Sequence, residues 1–268
     1  MNTVVTTAGR TNEEYMLKAN EISNLLNLPY IKRQKKSVST IQQEQRANVL
    51  VVSKERLELY TYGSTSPFFF HPNSAAFRIK RLLNGEQDSF LEAAGLEEGD
   101  HFLDTTAGLC SDSIIASYAV GGSGIVHACE KEPTIAYIVD VGLKNYETNN
   151  ESLLKSMQNI DLIHQDAVAY MKTVASNSYD VVYIDPMFEE VIEESTNFYV
   201  LREAGVHESL SDEWMAEAKR LARKRVVLKA HFRSPLFDQF DFKRGIRLTS
   251  KFHYGIIDLE VTKAAYDE

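Results

Sequence analysis

Cysteine is scarce. The 268 residues hold two, Cys110 and Cys129, and these form no C-x-x-C pair. That excludes a disulfide framework and a thiolate metal site, and leaves both as small buried residues. The seven histidines are scattered without H-x-x-H or H-x-x-x-H spacing, so no metal is expected. No apolar run approaches the roughly 20 residues of a membrane span, and no charged-then-apolar leader opens the chain. Internal repeats and low-complexity tracts are lacking too. The expectation is a reduced, cytoplasmic protein, long enough for one large domain and a smaller one.

Positive charge is also in short supply. The net charge is −9, which argues against a general nucleic-acid binder. The deficit is uneven. Residues 1–95 carry 12 Lys/Arg against 9 Asp/Glu, and residues 96–268 carry 17 against 29. Much of the N-terminal excess lies in Lys32, Arg33, Lys35 and Lys36 and in Arg78, Lys80 and Arg81. A basic region beside an acidic one is compatible with one part holding a polyanion while the other performs chemistry. A solvated basic loop reads equally well.

Apolar spacing divides the chain at the same place. Within 1–95, residues 12–28 read as an amphipathic helix, and 48–52 with 57–62 as a β-hairpin. A loop with Phe68, Phe69 and Phe70 follows, then a basic helix near 74–83. Three consecutive phenylalanines read as a packed wedge rather than a base-stacking platform. From His101 onward strands and helices alternate. Strands are expected at 102–104, 125–129, 160–164, 181–184 and 225–229, with helices at 112–120, 134–146, 167–174 and 212–223. The end differs: 246–248 and 256–259 look like an antiparallel pair. The fold class is therefore α/β, a Rossmann-like, doubly wound, mostly parallel seven-stranded sheet over 96–268, with a small α+β appendage over 1–95.

Such sheets bind ligands at the carboxyl ends of their strands. After the first strand the chain reads Asp104-Thr105-Thr106-Ala107-Gly108-Leu109-Cys110-Ser111-Asp112. A dinucleotide fold places G-x-G-x-x-G here to admit a pyrophosphate. This chain has Cys110 at the second glycine position and Asp112 at the third, where an acid repels phosphate. Asp112 also suits a helix cap. S-adenosylmethionine fits better, because it has no phosphate and its amino and sulfonium groups are cationic. Asp104 then faces the ammonium, with Thr106 and Gly108 in the cofactor loop. Glu130 ends the second strand, placed for the ribose hydroxyls. Asp166 and Ala167 follow the third, placed for adenine. Asp185 ends the fourth, and four acids at four strand ends form the signal.

Asp185 opens Asp185-Pro186-Met187-Phe188. A carboxylate, a φ-locked proline and a flat ring suit an exposed amino group. The acid and backbone carbonyl accept from the NH2, and Phe188 stacks on its base. Asp185, Pro186 and Phe188 are the expected catalytic residues; His71, Arg78 and Lys229 are candidate substrate contacts.

These residues resemble the RsmJ-type ribosomal RNA guanine-N2 methyltransferases from about Val49 to Pro235. That family's DATAGLGRD motif is matched over Asp104–Asp112 with Thr105, Cys110 and Ser111 substituted, and its DPMF motif is matched outright by Asp185–Phe188. The resemblance implies cofactor contacts at Ser111, Asp112, Glu130, Lys131, Asp166, Ala167 and Asp185, and ribosomal RNA or the small ribosomal subunit as partner. Where the family has a lysine-rich segment after DPMF, this chain has Glu189, Glu190, Glu193 and Glu194. A small-molecule or protein substrate, and a non-catalytic cofactor-binding module, therefore stay open as alternatives.

Overall fold

The computed structural model describes residues 2–186, 210–248 and 250–259. These divide into two units, one built on residues 2–71 and 132–142, the other on the remainder.

In the first unit, β1 (Thr3–Thr7), β2 (Asn48–Val52) and β3 (Leu57–Tyr60) form a sheet in that order. β2 and β3 are the expected hairpin. β1 runs parallel to β2, so the chain needs a crossover, which α1 (Glu13–Leu25) and α2 (Val38–Gln45) supply. The sequence hid β1 because all five of its residues are buried, leaving no polar alternation to detect. Asn12 caps α1 by accepting from the Tyr15 amide at 3.0 Å.

Phe68 is fully buried, its backbone paired both ways with Leu59 at 2.8 Å. Phe70 packs on Gly142, where an added Cβ would lie 2.2 Å from its ring. Phe69 lies under the Arg56 guanidinium, 3.6 Å from its ring centre. Of the basic segment, Arg33 bonds the carbonyls of Lys36 and Thr7, and Lys36 pairs with Glu44 at 2.6 Å. Part of this segment's charge thus serves local structure.

The second unit holds the large sheet. Its strands are β4 (His101–Asp104), β5 (Ile125–Glu130), β6 (Ile160–His164), β7 (Tyr179–Ile184), β8 (Ala222–His231), β9 (Lys243–Gly245) and β10 (Phe252–Asp258). Their spatial order is β6-β5-β4-β7-β8-β10-β9, and β10 runs antiparallel to both neighbours. This unit's helices are α3 (Asn73–Leu83), α4 (Ser89–Ala94), α5 (Ser111–Val120), α7 (Glu151–Gln158), α8 (Ala167–Thr173), α9 (Asp212–Leu221) and α10 (Leu236–Gln239), while α6 (Pro133–Asn145), between β5 and β6 in the chain, falls mostly in the first unit. The sequence missed α2, α4, α7 and α10, all shorter than the roughly 11-residue window that periodicity needs. Ser37, Asp88 and Asn150 cap the first three with their side chains.

The terminal pair needs a correction. The edge strand is Lys243–Gly245, not 246–248, and it pairs with Tyr254–Ile256. Ile246 and Leu248 are 70% and 96% exposed. Lys243 and Arg244 occupy the edge, where charged side chains discourage further strand pairing.

β7 is buried along its whole length, and Val182, Ile184, Val226 and Leu228 pack with Trp214, Met215 and Phe237 in one core. β4 lies between β5 and β7. Strand order reverses there, opening a crevice at the carboxyl ends of β4 and β7.

Candidate active site

The loop after β4 is tied to both flanking strands. Thr105 donates twice to the Tyr183 carbonyl of β7, from its amide at 3.0 Å and its hydroxyl at 2.8 Å. Ala107 donates its amide to the Cys129 carbonyl of β5 at 3.0 Å. Gly108 and Cys110 both take left-handed backbone, with φ of +50° and +56°, a region glycine enters freely and other residues seldom. The turn keeps the shape of a glycine loop although a buried cysteine occupies it.

Two of the strand-end acids meet in this crevice. Asp104 is 2% exposed and accepts from the Thr106 amide at 2.9 Å and from Ser113 Oγ. Burial raises its carboxyl to about 6 against those hydrogen bonds, and Asp112 and Asp185 add to the rise. Thr106 Oγ1 bridges two acids. It receives the Asp185 amide at 2.8 Å and contacts Asp104 Oδ1 at 3.2 Å. Burial also raises the Asp185 carboxyl, with Lys229 opposing and Asp112 reinforcing the shift.

A charge network lies behind them. Asp112 Oδ1 accepts from Arg78 Nη1 at 2.6 Å, and Oδ2 accepts from Tyr183 Oη at 2.7 Å and Lys229 Nζ at 3.0 Å. Lys229 Nζ also donates to Asp185 Oδ2 at 2.6 Å. Arg78 holds Asp88 through two bonds of 2.8 Å. Burial alone would push the Asp112 carboxyl up, but Lys229 and Arg78 outweigh it and hold it well below the usual carboxylate range. Burial alone would lower the Lys229 ammonium; Asp112 and Asp185 together raise it.

Tyr183, which the sequence reading did not single out, stands two residues before Asp185 and so on the same strand face. Its ring packs on Phe90 at 5.1 Å and Phe102 at 6.0 Å between centroids.

The other expected residues are placed as follows. Glu130 ends β5, and Ser111 opens α5. Asp166 caps α8 by accepting from the Ala169 amide at 2.9 Å, and pairs with Lys131 at 3.2 Å. Ala167 is the first residue of that helix. Arg78 and Lys229 join the carboxylate network rather than standing in solvent. His71 lies in the first unit, 5.3 Å from the Phe69 ring. Pro186 is among the described residues, and Phe188 with the glutamates that follow it lies outside them.

The donor set suits a cation. Among the described residues the four carboxyls of Asp88, Asp104, Asp112 and Asp185 share two cations, Arg78 and Lys229, so negative charge is in excess, and burial, reinforced by the neighbouring acids, raises the Asp104 and Asp185 carboxyls. A sulfonium or ammonium relieves that excess; a pyrophosphate deepens it.

A seven-stranded sheet in this order, with its next-to-last strand reversed and its acids at the switch point, is that of the class I methyltransferases. The family model described as "Putative SAM-dependent methyltransferase" matches residues 33–251, and the chain belongs to that family. It is 45% identical over 254 residues to the uncharacterized protein YpiP of Bacillus subtilis (strain 168), covering 95% of this chain and 98% of that one. It is 28% identical over 195 residues to ribosomal RNA small subunit methyltransferase J of Vibrio vulnificus (strain YJ016), covering 67% and 74%. The SAM-dependent methyltransferase NGO1261 from Neisseria gonorrhoeae superposes with a TM-score of 0.58 at 18% identity, over 96% of each chain. The protein is an S-adenosyl-L-methionine-dependent methyltransferase. Among the described residues, no helix is long and apolar enough to cross a membrane.

Proposed function

We propose that this methyltransferase modifies the exocyclic amino group of a base in small-subunit ribosomal RNA, with guanine N2 as the acceptor. One observation carries the reading. Asp185 is anchored at the carboxyl end of β7, directly before Pro186, with Oδ2 on Lys229 and Oδ1 accepting no hydrogen bond from the described residues. The 28% identity to a ribosomal RNA methyltransferase supports the substrate class.

An amine conjugated to a purine is a weak nucleophile because its lone pair is delocalised into the ring. Asp185 Oδ1 and the Pro186 carbonyl accept from that NH2 and favour a tetrahedral nitrogen. S-adenosyl-L-methionine supplies a methyl group on an electrophilic sulfonium. As the N–CH3 bond forms the S–CH3 bond would break, its electron pair staying on sulfur in a neutral thioether that leaves, and the nitrogen would carry positive charge and have to shed a proton. Asp185, a stronger base than a solvated aspartate, is placed to receive it. Lys229 holds the carboxylate in position; the stacking role expected of Phe188 falls outside the described residues.

In the same proposal Asp104 faces the cofactor ammonium, with Thr106, Gly108, Ser111 and Asp112 around the loop. Glu130 takes the ribose, while Lys131, Asp166 and Ala167 border the adenine. Cofactor affinity should therefore rise as pH increases through about 6 and Asp104 ionises. Asp104→Asn should weaken binding and flatten that dependence, as calorimetry between pH 5 and 8 would read. The protein's own stability has the opposite sign. Native Asp104 keeps its proton longer than an unfolded aspartate, so its ionisation costs stability between about pH 4 and 6.

The substrate class is tested by incubating the enzyme and labelled cofactor with RNA, protein and metabolite fractions from cells lacking the gene. Label in small-subunit ribosomal RNA is the expected result. Label confined to the protein or metabolite fraction would reject RNA as substrate.

A further inference from the structure

The acidic chain has one stretch of opposite character outside the groups already described. Residues 229–253 hold six Lys/Arg against two Asp/Glu. They comprise the end of β8, α10, β9 and the start of β10. Unlike Lys36 and Arg78, the guanidinium groups of Arg233, Arg244 and Arg247 form no ion pair among the described residues.

Backbone carbonyls and aromatic rings hold these cations instead. Arg244 Nη1 donates to the Phe232 carbonyl at 2.7 Å, and Arg247 Nη1 to the Phe252 carbonyl at 3.3 Å. The Arg233 guanidinium lies 5.1 Å from the Phe232 ring centre. Phe232 and Phe252 are 37% and 38% exposed. A folded core gains nothing from two half-exposed phenylalanines flanked by oriented, unneutralised arginines. A flexible polyanion bearing flat bases gains from both.

The position is equally telling. β8 and β7 run parallel, with Leu228 beside Ile184, so Lys229 comes beside Asp185. The Phe252 ring centre is 6.0 Å from Lys229 Nζ, and Phe252 pairs across the strands with His231. The patch therefore begins at the lysine that holds the proposed catalytic carboxylate.

We infer that the rim formed by Phe232, Arg233, Arg244, Arg247 and Phe252 binds the single-stranded RNA flanking the target base, bases on the phenylalanines and phosphates on the arginines. This rests on the RNA reading of the same site.

The test uses the full chain and a fluorescein-labelled single-stranded oligoribonucleotide, titrated by anisotropy across a salt series. R244Q/R247Q should bind about tenfold more weakly and lower the salt slope by about 1.4, near 0.7 per lost phosphate contact. Those arginines also hold backbone carbonyls, so R233Q and F232A serve as variants free of side-chain bonds to backbone. R233Q should lower the slope by about 0.7; F232A should weaken binding about tenfold with the slope unchanged. Calorimetric affinity for S-adenosyl-L-methionine should not change in any of them. Wild-type binding to the oligoribonucleotide with R233Q and F232A indistinguishable from it would overturn the rim assignment while leaving the RNA reading intact. Wild type that neither binds RNA nor labels ribosomal RNA would overturn the RNA reading itself. Tight capture of a protein from the small subunit by wild type, lost in these variants without loss of RNA binding, would reassign the rim to a protein partner and refute the inference.

Discussion

Asp185→Asn should lower kcat by about 10²- to 10⁴-fold, the range expected when a positioned acid–base group is lost. kcat/KM should fall by a similar factor, because the missing interaction strengthens only as charge develops on the amine. The amide keeps the shape of the carboxylate, and Lys229 retains Asp112 at 3.0 Å, so the fold should persist. In the proposed mechanism the wild-type carboxyl, raised by burial, must ionise to accept the amine hydrogens. Single-turnover rates should therefore climb with pH through the acidic range, and Asp185→Asn should lose that limb. Turnover within threefold of wild type would remove Asp185 from the chemistry.

The largest expected effect on stability is at Asp112. Its two oxygens satisfy Arg78, Tyr183 and Lys229, and the side chain is 9% exposed. Asp112→Ala should cost about 3 kcal/mol, the low end for breaking a buried pair, because Arg78 keeps Asp88 and Lys229 keeps Asp185. The sign with pH follows from its depressed carboxyl. The stabilisation is complete above the ordinary aspartate pKa of about 3.9 and fades as acid approaches the lower native value. Urea unfolding should show the full difference at neutral pH and a smaller one near pH 3. An equal difference at both would mean that the loss comes from packing rather than charge.

Much of this site was legible as spacing. A strand run ending in Asp185-Pro186, a loop reading Thr-Ala-Gly after Asp104, and acids at two further strand ends need only strand period and chain direction to be placed. What the sequence could not supply was which partner each charge takes. Arg78 and Lys229 read as substrate contacts because a lone cation is silent about distant acids. Folding brings Asp112 to both across separations of 34 and 117 residues. Tyr183 was hidden for the opposite reason: inside an apolar strand its ring looks like core, and only its hydroxyl reveals a second duty. At the C-terminal hairpin Ile246 and Leu248 suggested a strand by composition, whereas the edge of the sheet is filled by Lys243 and Arg244. There edge chemistry outweighs propensity.

The central claim is most directly tested by mass spectrometry of nucleosides from small-subunit ribosomal RNA. The comparison needs cells with the gene, cells without it, and cells complemented with Asp185→Asn. We expect N2-methylguanosine to drop by one site per subunit in the deletion and to stay low with the variant. Identical nucleoside content in all three would contradict the account.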